Sequence, residues 1–524
     1  MKYTLESKKK YLLRIIIPAY SRFNVYSFVT NKTTTLGPLY IAVSAQEVKG
    51  WDVEVIDENN FRNPHLRNFS GNINHELLQK QKPADVVGFY GGLTCSLPRI
   101  YELTKFYKQR GVITIAGGQH FVDETIPEAL FSGIDCIVRG EGEMSIRELL
   151  CAFSEGGDLS SIPGIAFRKE DKIIYTTQRI PIQNLDDLPL PDFSLLKYAR
   201  IKLFPVGRVR GCKMNCEFCT VKGKPRYASS QKLIRQVDKL VKTMGAREFF
   251  IIDDLFGQDR DETLKLCKML AEYQTSRGVA LRFTVQIRLD KAKDEELLTA
   301  MRQANIKVVS IGFESPIDEE LKAMNKSLRS RDMLELTRVF HRFGFFIHGM
   351  FIFGYPTKEK LNFRMRVEER IKYFRNFIKK AKIDTIQVLL PIPLPGTELR
   401  ARLLSNSRVY PRSVLGWEYY DGTFPLFKPD YPLTPEGMQS AIRKIMGHFY
   451  HIRYLFIFLL NLISIISLPF YFNRIRVGWK KWCRRSRNYV FRIIGQRIVR
   501  SWTVQLYKEF FFEKLQKAKQ LLTS

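Results

Sequence analysis

The chain has 524 residues, enough for about two to four domains with sizeable cores. Apolar residues make up 45% and charged residues 26%, which excludes a disordered or low-complexity protein. The 84 Lys and Arg against 53 Asp and Glu give a net charge of +31. This excess indicates an acidic partner such as nucleic acid, an anionic membrane or a phosphorylated substrate.

The amino-terminal segment imitates a secretory signal, because Lys8–Lys10 precede an apolar run. Arg14 interrupts that run, however, and no small-residue cleavage site follows it. We therefore interpret Leu12–Pro18 as the first β-strand of a globular domain and expect a cytoplasmic protein. Eight cysteines in the whole chain are too few for a disulfide scaffold.

The first third of the chain alternates short apolar runs with helical stretches. Buried strands followed by glycine are typical of a doubly wound, Rossmann-like α/β sheet, whose ligand lies beyond the carboxyl ends of the strands. We predict that this domain covers residues 1–150 and that a proline-punctuated linker covers 151–201. The predicted strands are Leu12–Pro18, Asp52–Asp57, Asp85–Tyr90, Val112–Ala116 and Cys136–Val138.

Glycines at positions 91 and 92, 117 and 118, and 140 and 142 follow three of these strands. They let a flat ligand or a phosphate approach the backbone, although any one of them is also explained by a tight turn. No G-x-G-x-x-G with a following acidic residue is present, so a nicotinamide cofactor is not supported. His120 follows the second glycine pair and is either a ligand contact or a structural histidine.

The strongest motif is the spacing C-x3-C-x2-C, formed by Cys212, Cys216 and Cys219. A structural zinc site and a simple electron-transfer cluster both require four ligands, and no fourth one is close in sequence. Three cysteines leave one iron of a [4Fe–4S] cluster open for chemistry. Cysteines that only pack or bind zinc are the alternative.

Six strand–helix units surround and follow this motif. They predict a partial (β/α)6 barrel over residues 202–400, with polar residues at the strand ends where barrel sites lie. The predicted strands are Val206–Arg210, Phe249–Ile252, Leu281–Arg288, Lys307–Ile311, His348–Phe353 and Thr385–Leu390.

The cysteine motif, with Phe218 as its aromatic residue, resembles the signature of the radical S-adenosylmethionine (SAM) superfamily. The resemblance implies that the three cysteines bind three irons of a [4Fe–4S] cluster and that SAM chelates the fourth. It also implies SAM contacts at the barrel strand ends. Helix capping is the alternative role for the two aspartates, and ion pairing for the arginine. The implied SAM-binding residues are Asp253, Asp254, Arg288, Glu314, Gly349 and Gly354.

The first domain resembles the cobalamin-binding half of B12-dependent radical SAM proteins. Residues 116–120, 139–143 and 36–40 carry this likeness. The chain lacks the histidine-donating Asp-x-His-x-x-Gly loop of many cobalamin domains, and members of this branch commonly lack it too. The implied cobalamin-binding residues are Gly91, Gly92, Gly117, Gly118, His120, Glu141 and Gly142.

Residues 437–508 contain no Asp or Glu and fourteen Lys or Arg. Within them, residues 454–473 carry no charge and are just long enough to span a bilayer. Three interpretations stay open: a membrane-spanning or re-entrant segment, an interfacial helix pair, or a helix buried against the barrel. We predict that residues 401–524 form a helical region that contacts an anionic membrane, and we expect no nucleic-acid partner.

The resemblance implies an enzyme that methylates an unactivated carbon of a lipid, another apolar substrate or a small molecule. It further implies an electron donor such as flavodoxin or ferredoxin. A second enzyme function is oxidative cyclisation or a different non-methylating radical reaction, as in the anaerobic porphyrin cyclase. A non-catalytic cobalamin or redox sensor at the membrane and an Fe–S electron carrier also stay open. The sequence does not identify catalytic residues.

Overall fold

A computed structural model describes residues 5, 10–21, 23–24, 27, 30–358, 363–463, 475–508 and 511–523. In these residues the chain forms two large sheets, each covered by helices, and a helical carboxy-terminal region. The predicted α/β fold class is confirmed.

The first sheet has eight described strands in the order β7-β6-β5-β4-β3-β1-β2-β8. Strands β1 to β5 and β8 run parallel, and β6 and β7 add an antiparallel edge. The stretch predicted as a linker thus contributes three strands to this sheet. The strands are β1 (Tyr11–Ile17), β2 (Trp51–Asp57), β3 (Val86–Tyr90), β4 (Ile113–Gly117), β5 (Cys136–Val138), β6 (Ile165–Lys169), β7 (Lys172–Tyr175) and β8 (Leu196–Lys197), and the helices are α1 (Leu36–Gln46), α2 (His75–Gln81), α3 (Leu97–Lys108), α4 (Ile126–Phe131) and α5 (Glu143–Glu155).

Strand β1 lies in the centre of this sheet and every residue in it is buried. Arg14, which interrupts the apolar run in the sequence, is fully buried with its charge compensated. Its guanidinium donates to Glu54 at 2.6 Å, to Gln79 at 3.0 Å and to the Lys82 carbonyl at 2.6 Å. A paired arginine is therefore part of the core of this domain.

The second sheet has six described strands, all parallel, in the order β16-β15-β14-β13-β12-β9. This is the predicted partial barrel, in which the strands lie side by side in the same order as they occur along the chain. Its elements and the short pair beside it are β9 (Leu203–Val206), β10 (Val209–Arg210), β11 (Arg226–Tyr227), α6 (Ser230–Met244), β12 (Glu248–Phe256), α7 (Arg260–Arg277), β13 (Arg282–Ile287), α8 (Glu295–Gln303), β14 (Ile306–Glu314), α9 (Asp318–Ala323), α10 (Ser330–Arg342), β15 (Phe346–Ile352), α11 (Val367–Lys380) and β16 (Thr385–Leu389).

The prediction of the first barrel strand over Val206–Arg210 was wrong. The barrel strand β9 ends at Val206, and β10 pairs antiparallel with β11 outside the barrel. The physical reason is a side chain: Asp253 Oδ1 accepts from the backbone N–H groups of Arg208 at 2.7 Å and Val209 at 3.0 Å. These donors are therefore not available to a neighbouring strand.

The carboxy-terminal region consists of helices packed around the barrel. Phe491 of the long helix α15 (Ile475–Lys508) contacts Phe346 with ring centroids 5.1 Å apart, and Asn488 of the same helix donates to Asp384 at 2.6 Å. Of the predicted apolar segment, residues 464–473 lie outside the described residues. No helix among the described residues is both long and apolar enough to cross a membrane. The helices are α12 (Glu398–Ser405), α13 (Pro435–Phe449), α14 (Arg453–Ile463), α15 (Ile475–Lys508) and α16 (Phe511–Thr523).

Candidate cofactor site

The cysteine loop, residues 211–219, begins directly after β10. Asp254, near the end of β12, accepts from the backbone N–H of Gly211 at 2.6 Å through Oδ2. Gln258 accepts from the N–H of Lys213 at 3.1 Å and donates to the Gly211 carbonyl at 2.9 Å. The start of the loop is therefore fixed by side chains that follow the second barrel strand.

A buried carboxylate fixes the other end of the loop. Glu217 lies between two of the motif cysteines and accepts from Arg402 at 2.7 and 2.9 Å and from the Tyr355 hydroxyl at 2.6 Å. Its backbone N–H donates to the Met324 carbonyl at 3.2 Å, and its carbonyl accepts from Leu399 at 3.1 Å. Such a fully bonded buried charge holds the loop in one conformation.

The three motif cysteines are free thiols close enough to influence one another. Burial raises the pKa of the Cys216 and Cys219 thiols, and the neighbouring cysteines raise the pKa of both further. No three His, Cys, Asp or Glu side chains in the described part of the chain converge on a point that one metal ion would fill. A [4Fe–4S] cluster makes a different demand, because each of its three cysteines binds a different iron. The donor set of this loop fits that group.

Asp253 and Asp254, predicted to contact SAM, both face the backbone that leads into the cysteine loop. Asp253 is buried, and burial raises the pKa of its carboxyl to about 6. Its Oδ1 is bonded as described above, whereas Oδ2 has no hydrogen-bond partner among the described residues. A SAM contact for either residue stays a prediction, and their observed contacts position the loop.

Arg288 and Glu314 lie at the ends of neighbouring barrel strands, near the cysteine loop. Arg288 forms a bidentate pair with Asp290 at 2.7 to 3.1 Å, and its guanidinium contacts the Met214 sulfur. Glu314 is buried at φ +60° and pairs with Lys326 at 2.9 Å. Burial acts to lower the pKa of Lys326, but Glu314 and Cys216 raise it, and the net shift is upward.

Gly349 and Gly354, predicted to accommodate adenine, lie in tightly packed positions. A Cβ at Gly349 would come within 3.0 Å of Ile383 and Phe351 side-chain atoms. A Cβ at Gly354, where φ is +75°, would come within 2.8 Å of Met438 on α13. Packing alone thus requires a small residue at both positions, and adenine contact stays a prediction.

The first cavity has a volume of about 440 Å³ and lies between the first sheet and the barrel. Its walls combine glycines with apolar side chains, and Asp254 is among the residues that line the barrel side. A Cβ at Gly117 would approach Val138 to 3.4 Å, and one at Gly142 would approach Ile41 to 3.0 Å. Backbone surfaces of this kind accommodate a large flat ligand. The lining glycines are Gly37, Gly88, Gly117, Gly118, Gly140, Gly142 and, on the barrel side, Gly207.

Two of the predicted cobalamin-site glycines, Gly91 and Gly92, do not line this cavity. Gly118 has φ +129°, and a Cβ there would lie 2.6 Å from the Gly91 backbone carbon. A Cβ at Gly92 would overlap the Tyr90 ring. These glycines therefore permit a close approach of two loops at the edge of the sheet.

Glu141 borders the first cavity, but its carboxylate bonds to the barrel side. Its two oxygens accept from Arg210 at 2.9 Å and from Arg226 at 2.8 and 2.9 Å, and the Ile182 N–H donates to it at 2.8 Å. These ion pairs hold the Glu141 pKa below its usual range against the effect of burial. His120 lies elsewhere, in a second cavity next to Gln119.

Sequence reasoning missed the charged partners of the loop. Lys326, Arg402 and Arg210 all contact predicted residues or the cysteine motif itself. The sequence could have predicted a basic partner for Glu217, because an acidic residue inside a metal-binding loop needs a counter-charge. The identity of that counter-charge is set by tertiary contacts with residues distant in sequence.

The fold and the site define a two-cofactor protein, in which a cobalamin-type α/β domain packs on a cysteine-bearing partial barrel. Comparison with protein families agrees with this class. Residues 207–366 match the radical SAM superfamily, and residues 27–150 match the B12 binding domain. The chain belongs to the B12-binding radical SAM proteins and is an enzyme that uses a [4Fe–4S] cluster, SAM and cobalamin.

Three relatives illustrate the range of the family. An uncharacterized methyltransferase of Pyrococcus horikoshii is 28% identical over 72% of this chain and 80% of its own length. The anaerobic magnesium-protoporphyrin IX monomethyl ester cyclase of Rubrivivax gelatinosus is 26% identical over 68% of this chain and 64% of its own. The hopanoid C-2 methylase of Rhodopseudomonas palustris is 26% identical over 46% of this chain and 45% of its own.

Two solved structures have the same fold. The radical SAM methyltransferase TsrM of Kitasatospora setae superposes with a TM-score of 0.58 at 17% identity, covering 76% of each chain. The cobalamin-dependent radical enzyme OxsB, with aqua-cobalamin and SAM bound, has a TM-score of 0.64 at 14% identity and covers 98% of this chain and 84% of its own. The helical carboxy-terminal region is thus included in the similarity to OxsB.

Proposed function

We propose that this protein methylates an unactivated carbon of an apolar substrate. The observation that carries the proposal is the direct junction of the two candidate cofactor sites. Arg210, two residues before Cys212, donates to Glu141 at 2.9 Å and also pairs with Glu143 at 2.5 Å, on the border of the first cavity. Thr220, one residue after Cys219, donates to Gln119 on the same border at 3.3 Å.

When bound, the cluster with SAM supplies a 5′-deoxyadenosyl radical, and methylcobalamin supplies a methyl group. The chain's own residues bring the two cofactor sites together and fix their relative position. Glu141 binds two arginines of the barrel side, and Glu217 and Asp254 immobilise the cysteine loop between them. Fixed geometry of this kind is the protein's main contribution to radical chemistry.

The relatives favour methylation, because two of the three are methylating enzymes by name, one of them acting on hopanoids. The cyclase relative keeps oxidative cyclisation as the second candidate. The two reactions differ in their SAM-derived products, since methylation through cobalamin converts a second SAM to S-adenosylhomocysteine.

The test is an anaerobic reaction of reconstituted protein with trideuteromethyl-SAM, stoichiometric cobalamin, a strong reductant and a membrane-lipid extract. We expect 5′-deoxyadenosine and S-adenosylhomocysteine to rise together, with a trideuteromethyl label in one extract component by mass spectrometry. Cys216→Ala should abolish 5′-deoxyadenosine, whereas Cys151→Ala, outside the loop, should not. 5′-Deoxyadenosine without S-adenosylhomocysteine would support cyclisation or oxidation. If neither product forms although the cluster is intact, the result would support a non-catalytic cobalamin or redox sensor.

We further propose that the carboxy-terminal region contacts an anionic membrane surface. Phe456 and Leu460 on α14 are 62% and 66% exposed, and the surrounding stretch 437–508 is basic with no acidic residue. Apolar side chains among positive charges suit an anionic headgroup layer. The packing of α15 against the barrel supports a surface contact by α14 rather than insertion of the whole tail.

Flotation with vesicles tests this contact. The protein should bind phosphatidylglycerol vesicles and not pure phosphatidylcholine vesicles. The double variant Phe456→Ser, Leu460→Ser should lose most of the binding, whereas Phe69→Ser, a fully exposed phenylalanine in the first domain, should keep it. Equal binding by the double variant would refute the proposed surface.

A further inference from the structure

A second cavity, of about 270 Å³, lies where the first domain, the barrel and the carboxy-terminal region meet. Most of its wall is apolar, with Leu93 from the first domain and Ile392 and Leu394 from the segment after β16. It touches Thr220, the residue after Cys219, and Gln119, which also lines the first cavity. The cavity is therefore adjacent to both candidate cofactor sites.

Asp421 is the one carboxylate among the described residues of this wall. It is 3% exposed, and its Oδ1 accepts from the Thr423 N–H at 2.8 Å and from the Thr423 hydroxyl at 2.7 Å. Its Oδ2 has no hydrogen-bond partner among the described residues. Burial raises the pKa of this carboxyl to about 7.

His120 provides a second such atom in the same wall. The ring is 2% exposed, and Nδ1 lies 3.2 Å from the Thr94 hydroxyl, whereas Nε2 has no partner within the described part of the chain. Burial, with Arg412 and Arg400 nearby, lowers the His120 pKa to about 3. The imidazole is therefore neutral at physiological pH.

Buried polar atoms are almost always hydrogen-bonded, and leaving one without a partner costs stability. The two residues that carry these atoms both line one cavity, and we take this juxtaposition as an indication that a ligand supplies the missing bonds. The ligand needs a donor for the Asp421 oxygen. A hydroxyl group meets this need and also matches a neutral histidine in either tautomer, because it both donates and accepts.

Charged ligand groups fit this wall less well. A carboxylate or phosphate would be buried against the Asp421 carboxyl, and a cation would approach the positive side chains of Arg400 and Arg412 that act on His120. The remaining wall offers mainly hydrocarbon contacts.

We propose that the second cavity is the substrate pocket and that it takes a mostly apolar molecule bearing one neutral hydroxyl group, which donates to Asp421 and has His120 as its second polar partner. This inference rests on the proposed function in one respect, because the molecule bound in this pocket is taken to be the substrate of the proposed reaction. Asp421 and His120 are thereby assigned as specificity-determining residues.

The test uses two fluorinated probes, 4-(trifluoromethyl)cyclohexanol and its methyl ether, with the anaerobic holoenzyme. Their affinities are measured by ¹⁹F NMR line broadening at about pH 8, above the raised pKa of Asp421, so that the carboxylate predominates. The alcohol should bind about tenfold more tightly than the ether, because only the alcohol donates to Asp421. Equal binding of both probes by the unmodified protein would overturn the proposal without any variant.

Asp421→Asn sharpens the test, because it keeps the contacts of Oδ1 and replaces an acceptor by a donor. The ether should then bind about threefold more tightly, since its oxygen accepts from the new N–H. The alcohol oxygen can accept from the same N–H, so the alcohol should lose most of its tenfold preference over the ether. Asp135→Asn is the matched control: Asp135 is also buried but accepts from Thr114 and Lys108 at the opposite end of the first sheet. It should leave both affinities unchanged.

Leu394→Trp, which fills the cavity, should abolish binding of both probes while iron and cobalamin content stay normal. Persistent probe binding in this variant would place the probes elsewhere and overturn the proposal. Probe binding needs no turnover, so this result is independent of 5′-deoxyadenosine and S-adenosylhomocysteine formation. Failure of the pocket and failure of the proposed reaction are therefore distinguishable.

Discussion

The cysteine loop and the glycine loops of the first sheet are held in place by different physical means. The cysteine loop is held by charge, because Glu217 binds Arg402 and Tyr355, and Asp254 accepts from the loop backbone. The glycine loops are held by proximity, since Gly118 packs directly on the Gly91 backbone. The cysteine loop should therefore be sensitive to changes of charge at constant size, and the glycine loops to changes of size at constant charge.

Glu217→Gln should have the largest effect. It keeps the size of the side chain but removes the negative charge that Arg402 faces in a largely buried site. Breaking such a pair costs about 3–5 kcal/mol, so denaturant unfolding should show a loss of this size, with lower iron and sulfide content after reconstitution. Glu296→Gln, whose exposed partner is Arg260, should cost under about 1 kcal/mol. Similar losses in both variants would contradict the role of charge.

Gly118→Ala adds one methyl group and no charge. The new Cβ would lie 2.6 Å from the Gly91 carbon at a φ of +129°, so the two loops must separate, at a cost of about 2–3 kcal/mol. Thermal unfolding and cobalamin retention measure the effect. Gly111→Ala also has a positive φ, +72°, but meets no atom within 4 Å, and it should cost only about 1 kcal/mol. Equal costs would mean that backbone strain, and not proximity, matters.

Asp253→Asn should have the smallest effect, visible as a pH dependence. The pKa of this carboxyl rises from 3.8 to about 6 on folding, because burial disfavours the charged form. The folded state thus binds this proton more tightly, so the contribution of the Asp253 carboxyl to stability is largest at low pH and is lost as pH rises between about 4 and 6. The difference in unfolding free energy between this variant and the unmodified protein should change by about 2 kcal/mol across that window. Asp261→Asn, at an exposed site, should give a constant difference.

Much of the fold was predictable because buried parallel strands are continuous apolar runs. The prediction Cys136–Val138 agrees with β5, and Thr385–Leu390 agrees with β16 to within one residue. The prediction Phe249–Ile252 was too short, since β12 continues through two aspartates to Phe256. Those aspartates bond to the backbone of the cysteine loop, and hydropathy does not reveal such a contact.

The site was predictable to the extent that its chemistry is local in sequence. The cysteine motif occupies eight consecutive positions, and its cofactor follows from residue type and spacing. Lys326, Arg402 and Asp421 belong to other barrel units or to the carboxy-terminal region, so only folding brings them to the site. The role of Arg402, for example, depends on burial and on Glu217, which lies 185 positions away in sequence.

Gln119 borders both cavities, and its amide oxygen accepts from the Thr220 hydroxyl. One side chain is thus shared by the walls of both cavities and is anchored next to the last cysteine of the loop. A substitution that changes its size would alter the walls of both cavities at once, so their shapes are not independent of each other.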